Sequence, residues 1–236
     1  ASANDGTNPD IITLAFGSGD GDVTTTGTQT LSNKTLTAPK IVDAGFIADA
    51  NGNEQVIFQT TSSAVNEVEI TNAATGNAPI IGASGETNVD LSITPKGIGR
   101  VTLGAGKIEQ LAEKATIAAT AATGTVNYDV ITQAVLSFTS NAAPNYTLNI
   151  RGDGSNTLNS IMDTGESITI AHLVTQGSTA YYNNAVTIDG SSVTPEWQGG
   201  SAPSGGNASS VDMYSYTIVK TGDAAFTVFA AQTQFA

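Results

Sequence analysis

The chain contains no cysteine, which excludes disulfides and thiolate–zinc sites. It contains one histidine, His172, so a Cys–His pair or a multi-histidine metal site cannot be built within one chain. Basic residues are scarce: eight Lys and Arg stand against 21 Asp and Glu, for a net charge of −13. Phosphate contacts need Lys and Arg, so a nucleic-acid partner is not expected, and the same deficit argues against binding to anionic lipid. Only 12% of the residues are charged, about half the usual share. No uninterrupted run of 18 apolar residues occurs, so no membrane span and no membrane insertion are expected. Ala1-Ser2-Ala3-Asn4 has no basic start and no apolar segment behind it. A signal peptide is therefore not expected, and the missing Met suggests removal of the initiator residue.

Thr, Ser, Asn, Gln, Ala and Gly take the place of the charges. This is not the composition of a disordered chain, which is charge-rich and apolar-poor. It suits tightly paired strands and extensive subunit contact, where charges are costly to bury. The pattern along the chain is β throughout. Ile11–Phe16 reads as a first strand, followed by a Thr-rich tract over 23–37. From residue 45 short strands come at close intervals. Val68 and Ile70 face one way and Glu67 and Glu69 the other; Val89, Leu91 and Ile93 oppose Asp90, Ser92 and Thr94. Residues 106–115 place Ile108, Leu111 and Ala115 on one helical face, which predicts a short helical neck. Thr116–Thr125, rich in Ala and Thr, reads as a linker. Residues 126–236 differ in composition, holding 11 of the 14 aromatics, with all six tyrosines and the one tryptophan among them. Strands are expected at 129–138, 146–151, 166–175, 184–188, 211–220 and 225–230, which fits an antiparallel β-sandwich.

The front half carries only Phe16, Phe46 and Phe58 as aromatics. One copy of it buries too little surface to offset about 1–2 kcal/mol of backbone entropy per ordered residue. Three copies wrapped around one axis would share the apolar face and remove exposed strand edges. The fold expected is all-β: a trimeric intertwined β-stalk, a short helical neck and a C-terminal antiparallel β-sandwich head. The segments are 1–22, 23–105, 106–125 and 126–236.

Little catalytic chemistry is visible. His172 shares strand parity with Ile168, Ile170 and Val174 and reads as a satisfied interior histidine. Glu67 and Glu69 share a strand face, but a solvated face explains them better than glycoside hydrolysis. Gly19–Asp22 and Asp49–Glu54 offer oxygen ligands at alternate positions, yet neither completes a calcium loop, and turn chemistry suffices. Arg151-Gly152-Asp153 reads as a turn. No catalytic residue, metal site or cofactor is expected. Tyr181, Tyr182, Asn183 and Trp197 lie in Gly/Asn/Ser-rich segments where aromatic faces sit beside amides, and these are the candidate receptor-binding residues. Core packing is the alternative for the aromatics.

Six segments of the sequence carry a resemblance. Gly27–Pro39, Asn66–Pro79 and Asp90–Gly99 resemble tracts of bacteriophage tail fibres and related virion proteins. Leu148–Ser155, Gln176–Asn184 and Thr194–Gly200 are similar to the terminal domain of structural proteins from marine phages, cyanophages especially. The resemblance spans residues 23–236. It implies a homotrimer on the virion surface, made in the host cytoplasm and often used for host contact. The implied partners are sister chains, other virion proteins reached through residues 1–22, and a glycan or protein of the host surface. The chain is short for a long tail fibre, and its first 22 residues match no adaptor. The leading expectation is a non-enzymatic surface fibre or spike. Capsid decoration or a head fibre is a second reading, and a fibre-borne glycan depolymerase a third.

Overall fold

In the computed structural model, which describes residues 35–104, 108 and 111–235, Asp49 turns the chain into its first described hairpin. Its carboxylate accepts the backbone N–H groups of Asn51 and Asn53, both at 2.8 Å, and the Asn53 amide at 3.1 Å. This Asx turn closes β1 (Phe46–Ala48) on β2 (Glu54–Ile57), antiparallel. A second hairpin pairs β3 (Glu67–Thr71) with β4 (Ile80–Ser84). Beside it, Gly85 has φ +123°, and a Cβ there would lie 2.2 Å from the Val65 carbonyl, so only glycine fits. The Asp49–Glu54 tract thus forms the turn that the sequence led one to expect. The first strand, the Thr-rich tract up to Lys34, the Gly19–Asp22 tract and the 1–22 segment lie outside the described residues.

Residues 35–104 contain no buried side chain. Val42 is 76% exposed, Ile70 79%, Ile81 66% and Leu103 66%. Each hairpin is a separate two-stranded ribbon, and such a ribbon is marginally stable at best in water. The alternation read from the sequence is present in the strands, but among the described residues nothing covers the apolar face.

Contacts divide the chain between Ser92 and Ile93 into two units. Within the second, Arg100 pairs with Asp163 at 2.7 Å and with Glu166. Of the residues expected to form a helical neck, 105–107 and 109–110 lie outside the described set. Leu111–Lys114 carry no regular structure, and Ala115 opens a strand.

The second unit is a β-sandwich of ten strands: β5 (Ala115–Ala121), β6 (Thr125–Asp129), β7 (Val135–Ser140), β8 (Tyr146–Arg151), β9 (Ser167–Thr175), β10 (Asn183–Ile188), β11 (Ser191–Val193), β12 (Glu196–Trp197), β13 (Val211–Gly222) and β14 (Ala225–Phe235). One sheet has the order β12-β14-β13-β9-β7-β5 and the other β11-β10-β8-β6. Along β9 and β13 the even-numbered residues are buried, among them Ile170, His172, Val174, Tyr214, Tyr216 and Ile218. They meet Tyr128, Leu148, Ile150, Val186 and Ile188 of the facing sheet in one core. Each fully buried side chain of this size contributes about 1.5–3 kcal/mol, a gain that residues 35–104 forgo.

Three sequence expectations are corrected here. The sandwich is mixed, not antiparallel. From β5 to β10 successive strands alternate between the sheets, so same-sheet neighbours are two strands apart and run parallel, as in β5/β7, β7/β9, β6/β8 and β8/β10. Only β13 with β14 and β9, and β10 with β11, pair antiparallel within the sandwich. Second, the expected linker is largely β5, whose small Ala and Thr side chains lie along β7; pairing overrides weak intrinsic propensity. Third, the single strand expected over 129–138 is broken at 130–134. The Asp129 carbonyl accepts Thr132 N–H at 3.0 Å and the Gln133 amide at 2.8 Å, which turns the chain from β6 to β7.

Among the described residues, helix is confined to one α-turn, α1 (Leu158–Ile161), and a 3-10 turn over Gln198–Gly200. Thr157 Oγ1 caps α1 by accepting Ser160 N–H at 3.0 Å, and Asp189 accepts Leu158 N–H at 2.7 Å and Asn159 N–H at 3.0 Å. Buried Lys220 donates from Nζ to the Asn159 and Met162 carbonyls at 2.6 and 2.8 Å. One turn of helix is thereby tied to the ends of β10 and β13.

An excised fragment of residues 111–236 is expected to unfold cooperatively in urea as a single-chain species. A fragment of residues 35–92, dilute and alone, is expected to show no protected amides by hydrogen exchange.

Candidate functional site

Residues 176–183 leave β9 and enter β10, and their backbone is fixed by side chains. Gln176 donates to Asp212 Oδ2 at 2.9 Å and accepts Tyr181 N–H at 2.9 Å. Gly206 lies against the Tyr181 carbonyl, where a Cβ would approach to 2.4 Å. Asn145 Oδ1 accepts Tyr182 N–H at 3.1 Å. Tyr181 and Tyr182 are half-buried against the core.

Asn183 is buried, at 1% exposure. Its amide donates to the Tyr146 carbonyl at 3.0 Å and the Ala185 carbonyl at 2.7 Å, and its Oδ1 accepts the Tyr216 hydroxyl at 2.7 Å. Its N–H donates to the Tyr214 hydroxyl at 3.3 Å. The side chain joins the two sheets and lies in the interior rather than on an exposed surface.

His172 stands beside it, fully buried, as its strand parity indicated. Nδ1 lies 3.3 Å from the Leu136 carbonyl and Nε2 3.1 Å from the Tyr146 hydroxyl. A carbonyl only accepts, so Nδ1 carries the proton and Nε2 accepts from the tyrosine. Phe138, Tyr146 and Tyr214 surround the ring at centroid distances of 5.6, 5.6 and 6.1 Å. Burial pushes the imidazole pKa down to about 4. Asp212 is moved the other way: burial raises its carboxyl against hydrogen bonds from Asn207 and Gln176. The buried phenols of Tyr146, Tyr214 and Tyr216 are also pushed up by burial.

Trp197 is half-buried at the lateral edge of the sandwich, its ring 6.1 Å from that of Tyr216 and nearly perpendicular to it. It forms one wall of a concavity of about 270 Å³ whose mouth includes Asn184, Ser192, Thr194, Pro195 and Pro203. Tyr181 and Tyr182 do not line it. The sequence reading found Trp197 but not Asn184, Ser192 or Thr194. The length of the 189–210 connection was the signal available for Ser192 and Thr194; Asn184 lies on β10, outside it. No basic side chain lines the concavity. An indole face and two prolines beside amide and hydroxyl groups can hold one uncharged polar ring.

A larger concavity, about 500 Å³, lies between residues 97–100 and an apolar floor that includes Val130, Ile131, Ile161 and Met162. Glu67 and Glu69 are exposed, as expected of a solvated face, and Glu67 accepts the Ser84 hydroxyl at 3.1 Å. Arg151 is paired with Asp129 at 2.7 Å, and Asp153 accepts the Ser155 and Asn156 N–H groups at 2.7 Å, so the Arg-Gly-Asp tripeptide is spent on local structure. Among the described residues, no group of three or more His, Cys, Asp or Glu could hold a metal ion, and no helix is long and apolar enough to cross a membrane. Comparison with family models, curated proteins and solved structures returns no match to this chain.

Asn183→Ala takes a partner from the buried Tyr216 hydroxyl and Tyr146 carbonyl and from the part-buried Ala185 carbonyl, at about 1–3 kcal/mol for each buried group left unsatisfied. The urea midpoint of the sandwich is expected to fall by several kcal/mol equivalent, whereas Asn184→Ala, on an exposed side chain, leaves it unchanged. A pH series tests His172. Its folded pKa lies near 4, below the ordinary 6.5, so its contribution is intact above pH 6.5. As pH falls from 6.5 to 4 the unfolded chain takes up a proton that the folded chain refuses. Stability is lost across that window, on the order of 3 kcal/mol. Asp212, with a raised folded pKa, offsets part of this loss in both wild type and variant. His172→Gln is therefore expected to show a flatter dependence of urea midpoint on pH than wild type.

Proposed function

We propose that the protein is a non-enzymatic homotrimeric fibre or spike on the surface of a phage particle, used for attachment to the host. The observation that carries the reading is the contrast between residues 35–104, which have no buried side chain, and residues 115–235, which close a core of their own. A segment with regular strands and uncovered apolar side chains needs other chains to cover it. A segment with its own core does not. That division of labour is what a shaft and a head require, and it agrees with the virion-fibre resemblance of the sequence.

In this reading sister chains intertwine over residues 23–105, residues 1–22 dock to the particle, and the sandwich meets the host surface. The Trp197 concavity is the contact. Its chemistry suits a neutral sugar rather than an acidic one, because its lining offers no cation to a carboxylate or sulfate. A shallow site of this size binds weakly, and three copies on one rigid assembly convert weak contacts into firm attachment.

Two measurements test the reading. Immunogold labelling of intact particles is expected to mark projections at the particle surface; a particle preparation that never takes the label contradicts it. On an array of neutral glycans, the full chain is expected to bind at least one class. Asn184→Ala is expected to weaken that binding about tenfold or more while leaving the urea midpoint unchanged.

A further inference from the structure

The two outer faces of the sandwich are built for different surroundings. On the four-stranded sheet the exterior is a polar ladder. Asn149 bonds Asn127 at 2.9 Å, Thr187 bonds Asn149 at 2.8 Å, and Arg151 pairs with Asp129. Such groups serve a face that meets water. On the six-stranded sheet the exterior is formed by the odd-numbered residues of β5, β7, β9, β13 and β14, as their paired registers show. Not one of those residues is charged. Ile117, Leu173, Met213 and Phe229 are spread among alanine, valine and hydroxyl side chains, with Ile117 65% and Phe229 51% exposed. Glu196 of β12, paired in register with Phe229, stands at one rim.

Several hydroxyls on this face are already satisfied. Thr169 and Thr217 bond each other at 2.9 Å, Thr175 donates to the Phe138 carbonyl at 2.9 Å, and Thr139 donates to the Ala118 carbonyl at 3.2 Å. Covering them strands no polar group, which removes the usual cost of burying a hydroxyl. A sheet exposing five strands at about 4.8 Å spacing over about seven residues presents about 550 Å². Three such faces turned inward hide about 1,650 Å² in the assembly, about 550 Å² for each pair of neighbours; this is below the roughly 1,000 Å² that an untethered interface needs, so the tether through the front segment is part of what holds it.

We propose that this uncharged face packs against the same face of sister heads, three sheets turned inward on a common axis with Glu196 left at the wet rim. The proposal deepens the homotrimer reading and rests on it. Chains held together through residues 35–104 place their heads at the high effective concentration of tethered partners, so a second copy reaches this face before any other protein does. Between copies of an acidic chain this face also opposes no like charges, unlike one that carries carboxylates.

The absence of native cysteine makes the test direct. Thr169 lies near the middle of the proposed interface and Thr125 lies on the opposite sheet; both are exposed within one chain. Thr169→Cys and Thr125→Cys are made separately in the full chain, and the rate of modification by a polyethylene-glycol maleimide is measured alongside mass by light scattering. In an assembly of three-chain mass, the thiol at 169 is expected to react at least tenfold more slowly than that at 125, with equal rates in urea. Equal native rates at three-chain mass overturn this interface and leave the homotrimer standing. Single-chain mass overturns both. Phe229→Cys, two strands away on the same face, is read in the same way if Thr169→Cys fails to fold.

Discussion

Burial is the constraint on which the rest depends. Hydrophobic stabilisation follows from apolar surface removed from water, and residues 35–104 remove almost none within one chain. Their hydrogen bonds are made: β3 pairs with β4 in unbroken antiparallel register, and β1 pairs with β2 antiparallel with a register shift between Ile47 and Ala48. Backbone pairing alone is nearly neutral against water and does not hold a two-stranded ribbon. Val42, Ile70, Ile81 and Leu103 stay exposed in the single chain. In the proposed assembly the scarcity of charge fits the same account, since strands that bury their faces between chains would tolerate few ions.

The sandwich solves the same problem internally, and it does so with a polar network at its centre. Tyr146 of one sheet bonds His172 of the other, and Asn183 of the first bonds Tyr216 of the second. Every member is satisfied; no buried side-chain nitrogen or oxygen among the described residues lacks a partner. Satisfied networks of this kind constrain how two sheets can register, because a slip by one residue would orphan several groups at once. The mixed topology depends on it, since strands that cross from sheet to sheet need fixed points at which to land.

How much of this was legible in the sequence depends on the range of the determinant. Period-2 alternation located β8, β9, β10 and β13 to within two residues but only the first part of β14, expected at 225–230 and observed over Ala225–Phe235, and the parity of His172 gave its inward direction. Strand direction was not legible, because alternation is the same whether neighbours run parallel or antiparallel. β5 was missed because four of its seven residues are Ala, which carries little strand signal, and Ile117 is its one large apolar side chain. The break at 130–134 was missed because its turn depends on hydrogen bonds to the Asp129 carbonyl. Trp197 was recognised by type, whereas Asn183, read as an exposed amide in an Asn-rich segment, proved interior; burial of a polar residue is decided by partners such as Tyr146 and Tyr216 far away in the chain.

Sedimentation of the full chain at micromolar and lower concentration, combined with hydrogen exchange over β1 to β4, tests the central claim most directly. The account requires a species three times the 23.9 kDa chain mass, with those strands protected only in that species. A 23.9 kDa particle with the same strands protected would contradict it.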